Sequence, residues 1–158
     1  MHNSHMHISR SFTLDAPADQ VVTALLSSEL AAKRMELLGV TDFDHQIDGT
    51  TATTHAKVPA EKLPSQARSF VKNGVDATVK AVANGNIVNY DLDLKGAPVD
   101  LSWTIALTDG TPTAGELDGE FKVKIPIMGA KIEQKGAGWV DRLLGAEVRN
   151  IEEVLADK

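Results

Sequence analysis

Arg10, His45 and Tyr90 are polar side chains on faces that the sequence otherwise fills with apolar residues. A histidine can give or take a proton near neutral pH. A phenol can orient a head group, and a guanidinium can polarise a carbonyl or hold a carboxylate. Together they would anchor the polar end of an otherwise greasy molecule. Each also has a plainer reading. Arg10 sits near a strand end and can reach solvent, His45 can be satisfied by one structural hydrogen bond, and the Tyr90 hydroxyl can point to a rim. No inward Asp or Glu stands ready to orient His45, so an acid–base pair is incomplete. His45 and His55 fall on opposite strand faces and cannot share a metal. The chain has no Gly-x-Ser-x-Gly elbow, no phosphate-cradling Gly-Lys-Ser loop, no Rossmann glycine pattern and no His-Glu-x-x-His. We therefore expect no metal, no cofactor and no catalytic residue.

The bulk numbers bound the rest. A chain of 158 residues makes one domain, and at this size roughly 70% of the unfolded surface is buried. There is no cysteine, which excludes disulfides and thiolate metal sites. The formal charge of −6 argues against nucleic acid or anionic membrane surfaces as partners. With aromatics at 4%, bases and sugars would find few stacking platforms. No long apolar run suggests a signal or a membrane span, so the expectation is a cytoplasmic monomer or weak homodimer. Residues 1–5 resemble an expression leader, with the domain proper over 6–158.

The elements that must position these residues follow from periodicity. His7–Leu14 reads as a strand. Asp15, Ala16 and Pro17 open a helix with Ala18, Val21, Val22, Leu25 and Leu26 on its apolar stripe. A second short helix spans Glu29 to Leu38 and closes at Gly39. Asp48-Gly49 predicts a two-residue type I′ hairpin pairing Ile47 with Thr50, His45 with Ala52 and Phe43 with Thr54. On the outer face this sets His55 opposite Asp42. Pro59–Lys72 reads as an insert with a short helix, Leu63, Ala67, Phe70 and Val71 facing inward. Asn84-Gly85 predicts a second such hairpin, pairing Ala83 with Asn86, Ala81 with Val88 and Val79 with Tyr90. The Lys95–Pro98 loop pairs Leu92 with Leu101 and Tyr90 with Trp103. A three-residue loop at Asp109–Thr111 pairs Ile105 with Gly115 and Trp103 with Leu117. A helix from about Met128 to Leu155 buries Ile132, Trp139, Val140, Leu143, Leu144, Val148, Ile151 and Leu155. Its glycines make the first half weak or kinked, or allow close approach.

The fold class is α+β: a seven-stranded antiparallel sheet wrapped around a long C-terminal helix, with two short helices after the first strand. The inward row offers Phe12, Phe43, Ala56, Val79, Ala81, Tyr90, Leu92, Trp103, Ile105, Leu117 and Phe121 as a lining. Arg10, His45, Thr54, Gly119, Phe70, Met128 and Ile132 complete the candidate ligand-binding set. Ala52, Ala56, Ala77, Ala81, Gly115 and Gly119 are small and inward. Either they let the layers approach closely, or they leave a hollow of a few hundred Å³, the size that suits a small apolar ligand.

Three stretches carry a resemblance: Arg10-Ser-Phe, Leu63-Pro64 with Phe70, and Lys122-Val-Lys-Ile-Pro-Ile-Met-Gly-Ala-Lys-Ile-Glu133. With the element order they make the chain similar to the helix-grip, START-like superfamily, and most of all to a mostly bacterial family known as domain of unknown function 2505. The superfamily resemblance implies an internal cavity for an apolar or amphipathic small molecule. The family implies no activity. The expected function is carriage or sensing of such a ligand, with Leu63–Val71 as a lid. The alternatives are a cyclase- or dehydratase-like enzyme using His45 and Arg10, or a protein-interaction module.

Overall fold

Alternating side chains lay out seven strands among the described residues, and all join one antiparallel sheet. A computed structural model describes residues 4–63, 68, 72–97, 99–123 and 129–157, without the side chains of 4, 5, 123, 129–137 and 139. The strands are β1 (Ser4–Leu14), β2 (Phe43–Asp48), β3 (Thr51–Val58), β4 (Val75–Asn84), β5 (Ile87–Leu94), β6 (Val99–Thr108) and β7 (Thr113–Val123). Their spatial order is β1-β7-β6-β5-β4-β3-β2, which leaves β1 and β2 as the edges. Pairing of β1 begins at Ser4, opposite Val123, ahead of the expected start at His7.

Helices α1 (Ala18–Leu25) and α2 (Ser28–Leu37) follow β1, and α3 (Gly129–Ala156) runs unbroken for 28 residues. Pro17 precedes the first turn of α1 with φ −62°, preset for a helix entry. The Ala18 N–H donates to Asp109 Oδ1 at 3.1 Å, so the loop leading into β7, the neighbour of β1, caps α1. The Ser27 hydroxyl donates to the Ala24 carbonyl at 2.7 Å and accepts from the Leu30 N–H at 3.2 Å. One side chain thus closes α1 and opens α2. Gly39, at φ +69°, ends α2 in the left-handed region that glycine enters without steric cost. The core lies between the sheet and the helices, with Val58, Val88, Ile105 and Leu117 meeting Val21, Leu30, Val140, Leu144 and Ile151.

Three hairpins differ from the expected register. Asp48 pairs with Thr51 and Asn84 with Ile87, so the loops are Gly49-Thr50 and Gly85-Asn86. The glycines take φ +62° and +63°, while no described non-glycine residue has positive φ. That is the pattern of type II′ turns, with glycine first, not of type I′. Moving each loop one residue slides the pairing by two, so Phe43 meets Ala56, His45 meets Thr54 and Ala81 meets Tyr90. His55 consequently faces Asp44, not Asp42, and its Nδ1 contacts Thr78 Oγ1 at 3.0 Å. The β6–β7 connection is also longer than three residues: Thr108 pairs with Ala114, which sets Ile105 against Leu117 and Trp103 against Gly119. Its residues are used elsewhere. Asp109 caps α1, Thr113 Oγ1 donates to the Ala16 carbonyl at 2.6 Å, and Pro112 has no N–H for the ladder. The Leu92–Leu101 and Tyr90–Trp103 pairs stand as expected. Ile47 lies on the edge strand β2 and is 55% exposed. In the insert the structure shows a 3-10 turn at Ala60–Lys62 and a buried Leu63; Ala67, Phe70 and Val71 lie outside the described residues.

Candidate functional site

A pocket of about 50 Å³ sits where α2, the β4–β6 part of the sheet and the C-terminal half of α3 converge. Its apolar wall is Met35, Leu37, Leu38, Val79, Leu92, Leu101, Leu143 and Leu144, and its polar members are Arg34, Glu147 and Trp103. Leu37 is 50% exposed and marks where the pocket meets solvent. A wider, open depression near Pro112 and Leu155 is lined by Thr13, Asp15, Thr111 and Glu152. Among the described residues, no group of three or more His, Asp or Glu side chains is placed to hold a metal ion.

The polar wall is one stacked assembly. Arg34 Nε donates to both Glu147 carboxylate oxygens, at 2.9 and 3.0 Å, and Nη2 donates to Oε2 at 2.6 Å. Both side chains are buried, at 11% and 4% exposure. The guanidinium carbon lies 4.7 Å from the Tyr90 ring centroid and 5.9 Å from that of Trp103. The two rings stack at 4.8 Å and 9°, and the Tyr90 hydroxyl donates to the Leu25 carbonyl at 2.9 Å. Burial works against the Arg34 charge, but Glu147 and Tyr90 together more than offset it and raise the Arg34 pKa. Burial pushes the Tyr90 phenol well above its ordinary value, against the opposing pull of Arg34. Arg34 stays charged and the phenol stays neutral across the physiological range.

Sequence reasoning missed Arg34 and Glu147, yet a signal was present. Val140, Leu144, Glu147, Ile151 and Val154 recur at helical spacing and are all buried. Glu147 occupies an apolar position of that stripe. Arg34 likewise follows Leu30 by four residues in α2.

Of the expected lining, Val79, Leu92 and Trp103 border the pocket, and Tyr90 stacks behind Trp103. Ile105, Leu117, Phe121 and Ala81 are buried core. Phe43 and Ala56 pair half-buried beside the β2 edge. Phe70 and Met128, and the side chain of Ile132, lie outside the described residues, as does most of the proposed lid. Arg10 does not enter the pocket; its Nη2 donates to Asp141 on α3, with side-chain exposures of 37% and 58%. His45 is occupied at both nitrogens. Nε2 lies 3.0 Å from the Leu26 carbonyl, which can only accept, and Nδ1 lies 2.8 Å from Thr54 Oγ1. The ring therefore donates from Nε2 to the Leu26 carbonyl. His45 is thus held by Leu26 and Thr54, and Arg10 is paired with Asp141 through Nη2 while its Nε has no partner. His45→Ala is expected to cost about 1–3 kcal/mol by stranding the Leu26 carbonyl and the Thr54 hydroxyl. Urea denaturation reads this, and a loss below about 0.5 kcal/mol would show that water substitutes freely for the ring.

Of the two outcomes open for the small inward residues, Gly115 and Gly119 show close approach. A Cβ on Gly115 would collide with the Phe12 ring, and one on Gly119 would lie 2.7 Å from Leu144 Cδ1. Neighbouring side chains already occupy the room that these glycines release, which is close approach.

The fold has solved relatives. The chain is similar to the Zhui aromatase/cyclase from a Streptomyces species at 14% identity and TM-score 0.67, covering 95% of this chain and 93% of that one. A truncated norcoclaurine synthase from Thalictrum flavum aligns at 15% identity and TM-score 0.64, covering 100% and 98%. A START superfamily protein from Mycobacterium smegmatis aligns at 13% identity and TM-score 0.60, covering 96% and 99%. These likenesses establish the helix-grip, START-like fold. No curated protein matches the sequence. Over residues 9–155 the sequence matches the family described as protein of unknown function (DUF2505), and the chain belongs to that family.

Proposed function

We propose that this protein binds a small, largely apolar molecule in the pocket between α2, β4–β6 and α3. The observation that carries this reading is an apolar recess whose two charged neighbours, Arg34 and Glu147, already neutralise each other. Such a recess favours apolar surface and offers an ion no free counter-charge. The START-like relatives support it, because they include an aromatase/cyclase and a norcoclaurine synthase. At about 50 Å³ the pocket as it stands accommodates only a few heavy atoms. A larger guest enters as Leu37, Leu38 and Leu143 turn aside at the mouth, a side-chain adjustment common on binding.

The test is methyl NMR on Leu- and Val-labelled protein titrated with methylenecyclohexane. Shifts are expected at Leu37, Leu38, Val79, Leu92, Leu101 and Leu144. Val79→Phe, which adds bulk at the pocket wall, is expected to weaken binding at least about tenfold while costing about 1–3 kcal/mol of stability. Shifts centred elsewhere, or undiminished binding in Val79→Phe, would remove the pocket from consideration.

A further inference from the structure

The pocket leaves one polar demand unmet. Trp103 lines it and is 6% exposed, yet its indole Nε1–H has no hydrogen-bond partner. Buried donors are rarely left so, and each exception asks for a reason. The polar groups beside it are already engaged. Arg34 and Glu147 face each other, and the Tyr90 hydroxyl is given to Leu25.

We infer that the ligand supplies the missing acceptor: it is a neutral, mainly apolar molecule carrying an acceptor oxygen, of the ketone, ester or ether kind, set against Trp103 Nε1. This rests on the pocket reading above and goes further by fixing the chemical class. An indole N–H donates and cannot accept, so it selects an acceptor atom. Neutrality follows from the neighbouring ion pair. An anion would sit beside Glu147 with the Arg34 charge already shared, and a cation would sit beside Arg34 with the Glu147 charge already shared. Either would be a buried ion without its own partner. The ring stack of Tyr90 and Trp103 fixes the plane of the indole, so the donor is preorganised and not recruited on binding.

A matched pair of probes separates the acceptor from the apolar body. Cyclohexanone and methylenecyclohexane have nearly the same shape and differ in C=O against C=CH₂. The chain has two tryptophans, so a proton–nitrogen correlation spectrum carries two indole signals, and Trp103→Phe identifies one by its loss. Cyclohexanone is expected to move the Trp103 indole proton downfield, and methylenecyclohexane to leave it nearly in place. Trp103→Phe should weaken cyclohexanone about five- to tenfold and methylenecyclohexane by no more than about twofold. Binding of both probes with equal indole shifts, or with an indole signal already downfield and unmoved by the ketone, overturns the inference and leaves the pocket reading intact. Binding of neither probe overturns the pocket reading and this inference with it. The wild-type spectra decide between these outcomes even where Trp103→Phe folds poorly.

Discussion

Glu147→Leu is expected to destabilise the protein by about 3–5 kcal/mol, because it strands the Arg34 guanidinium in the interior. For a domain of this size that is a fall in melting temperature of roughly 10–15 °C. The burial figures set the magnitude. Glu147 is 4% exposed and Arg34 11%, so water reaches neither charge well enough to replace the three hydrogen bonds between them. The contact of Arg34 with Tyr90 at 4.7 Å compensates only in part, since a cation over a ring gains about 2 kcal/mol even when desolvated. The double variant Arg34→Met with Glu147→Leu should recover most of the loss, because removing both ions leaves an apolar seam between α2 and α3. A Glu147→Leu penalty below about 1 kcal/mol in urea denaturation would show that the pair is hydrated in solution, as exposed pairs are.

The sheet was legible because its strands alternate so regularly that polarity alone sorts their faces. The same regularity hid the register. A loop placed at Asp48-Gly49 or at Gly49-Thr50 gives identical faces, since a slip of two residues restores every side chain to its side. Only the turn type separates them, and an Asp-Gly or Asn-Gly pair fits type I′ so well that the following residue is overlooked. Here glycine takes the first loop position and Thr50 or Asn86 the second. The β6–β7 loop escaped for a different reason. Asp109 and Thr113 serve the β1–α1 junction, a tertiary use that local pattern does not carry. At the site, the apolar members Val79, Leu92 and Trp103 were found by alternation. Arg34 and Glu147 were not, because a charged residue inside a helix reads as solvent-facing until both helices are placed. For Arg10 and His45 the sequence left a ligand role and a plainer role open, and the structure pairs them with Asp141 and with Leu26 and Thr54. The inward alanines and glycines were consistent with either a hollow or close packing. Side-chain positions of Phe12 and Leu144 decide for packing at both glycines.

That packing makes Leu144 the residue on which the pocket's size turns. It is 2% exposed, borders the pocket and rests on Gly119. Leu144→Ala is expected to cost about 2–5 kcal/mol, the usual range for a buried leucine whose surroundings relax incompletely. Gly119→Ala alone should be unfavourable as well, because its new methyl would lie 2.7 Å from Leu144 Cδ1 while its other neighbours stay at 3.7 Å or beyond. In the Leu144→Ala background that collision is gone. The same substitution should then be neutral or stabilising by up to about 1 kcal/mol, since alanine restricts the unfolded chain more than glycine does. The cycle predicts a favourable coupling of about 1–2 kcal/mol between the two positions. It also predicts a functional asymmetry. Leu144→Ala widens the recess and should tighten binding of methylenecyclohexane, with the ligand returning part of the lost stability by mass action. Gly119→Ala added to it refills some of that room and should weaken the probe again. Strictly additive stabilities, together with unchanged affinity in both variants, would mean that the Leu144–Gly119 contact does not set the pocket wall.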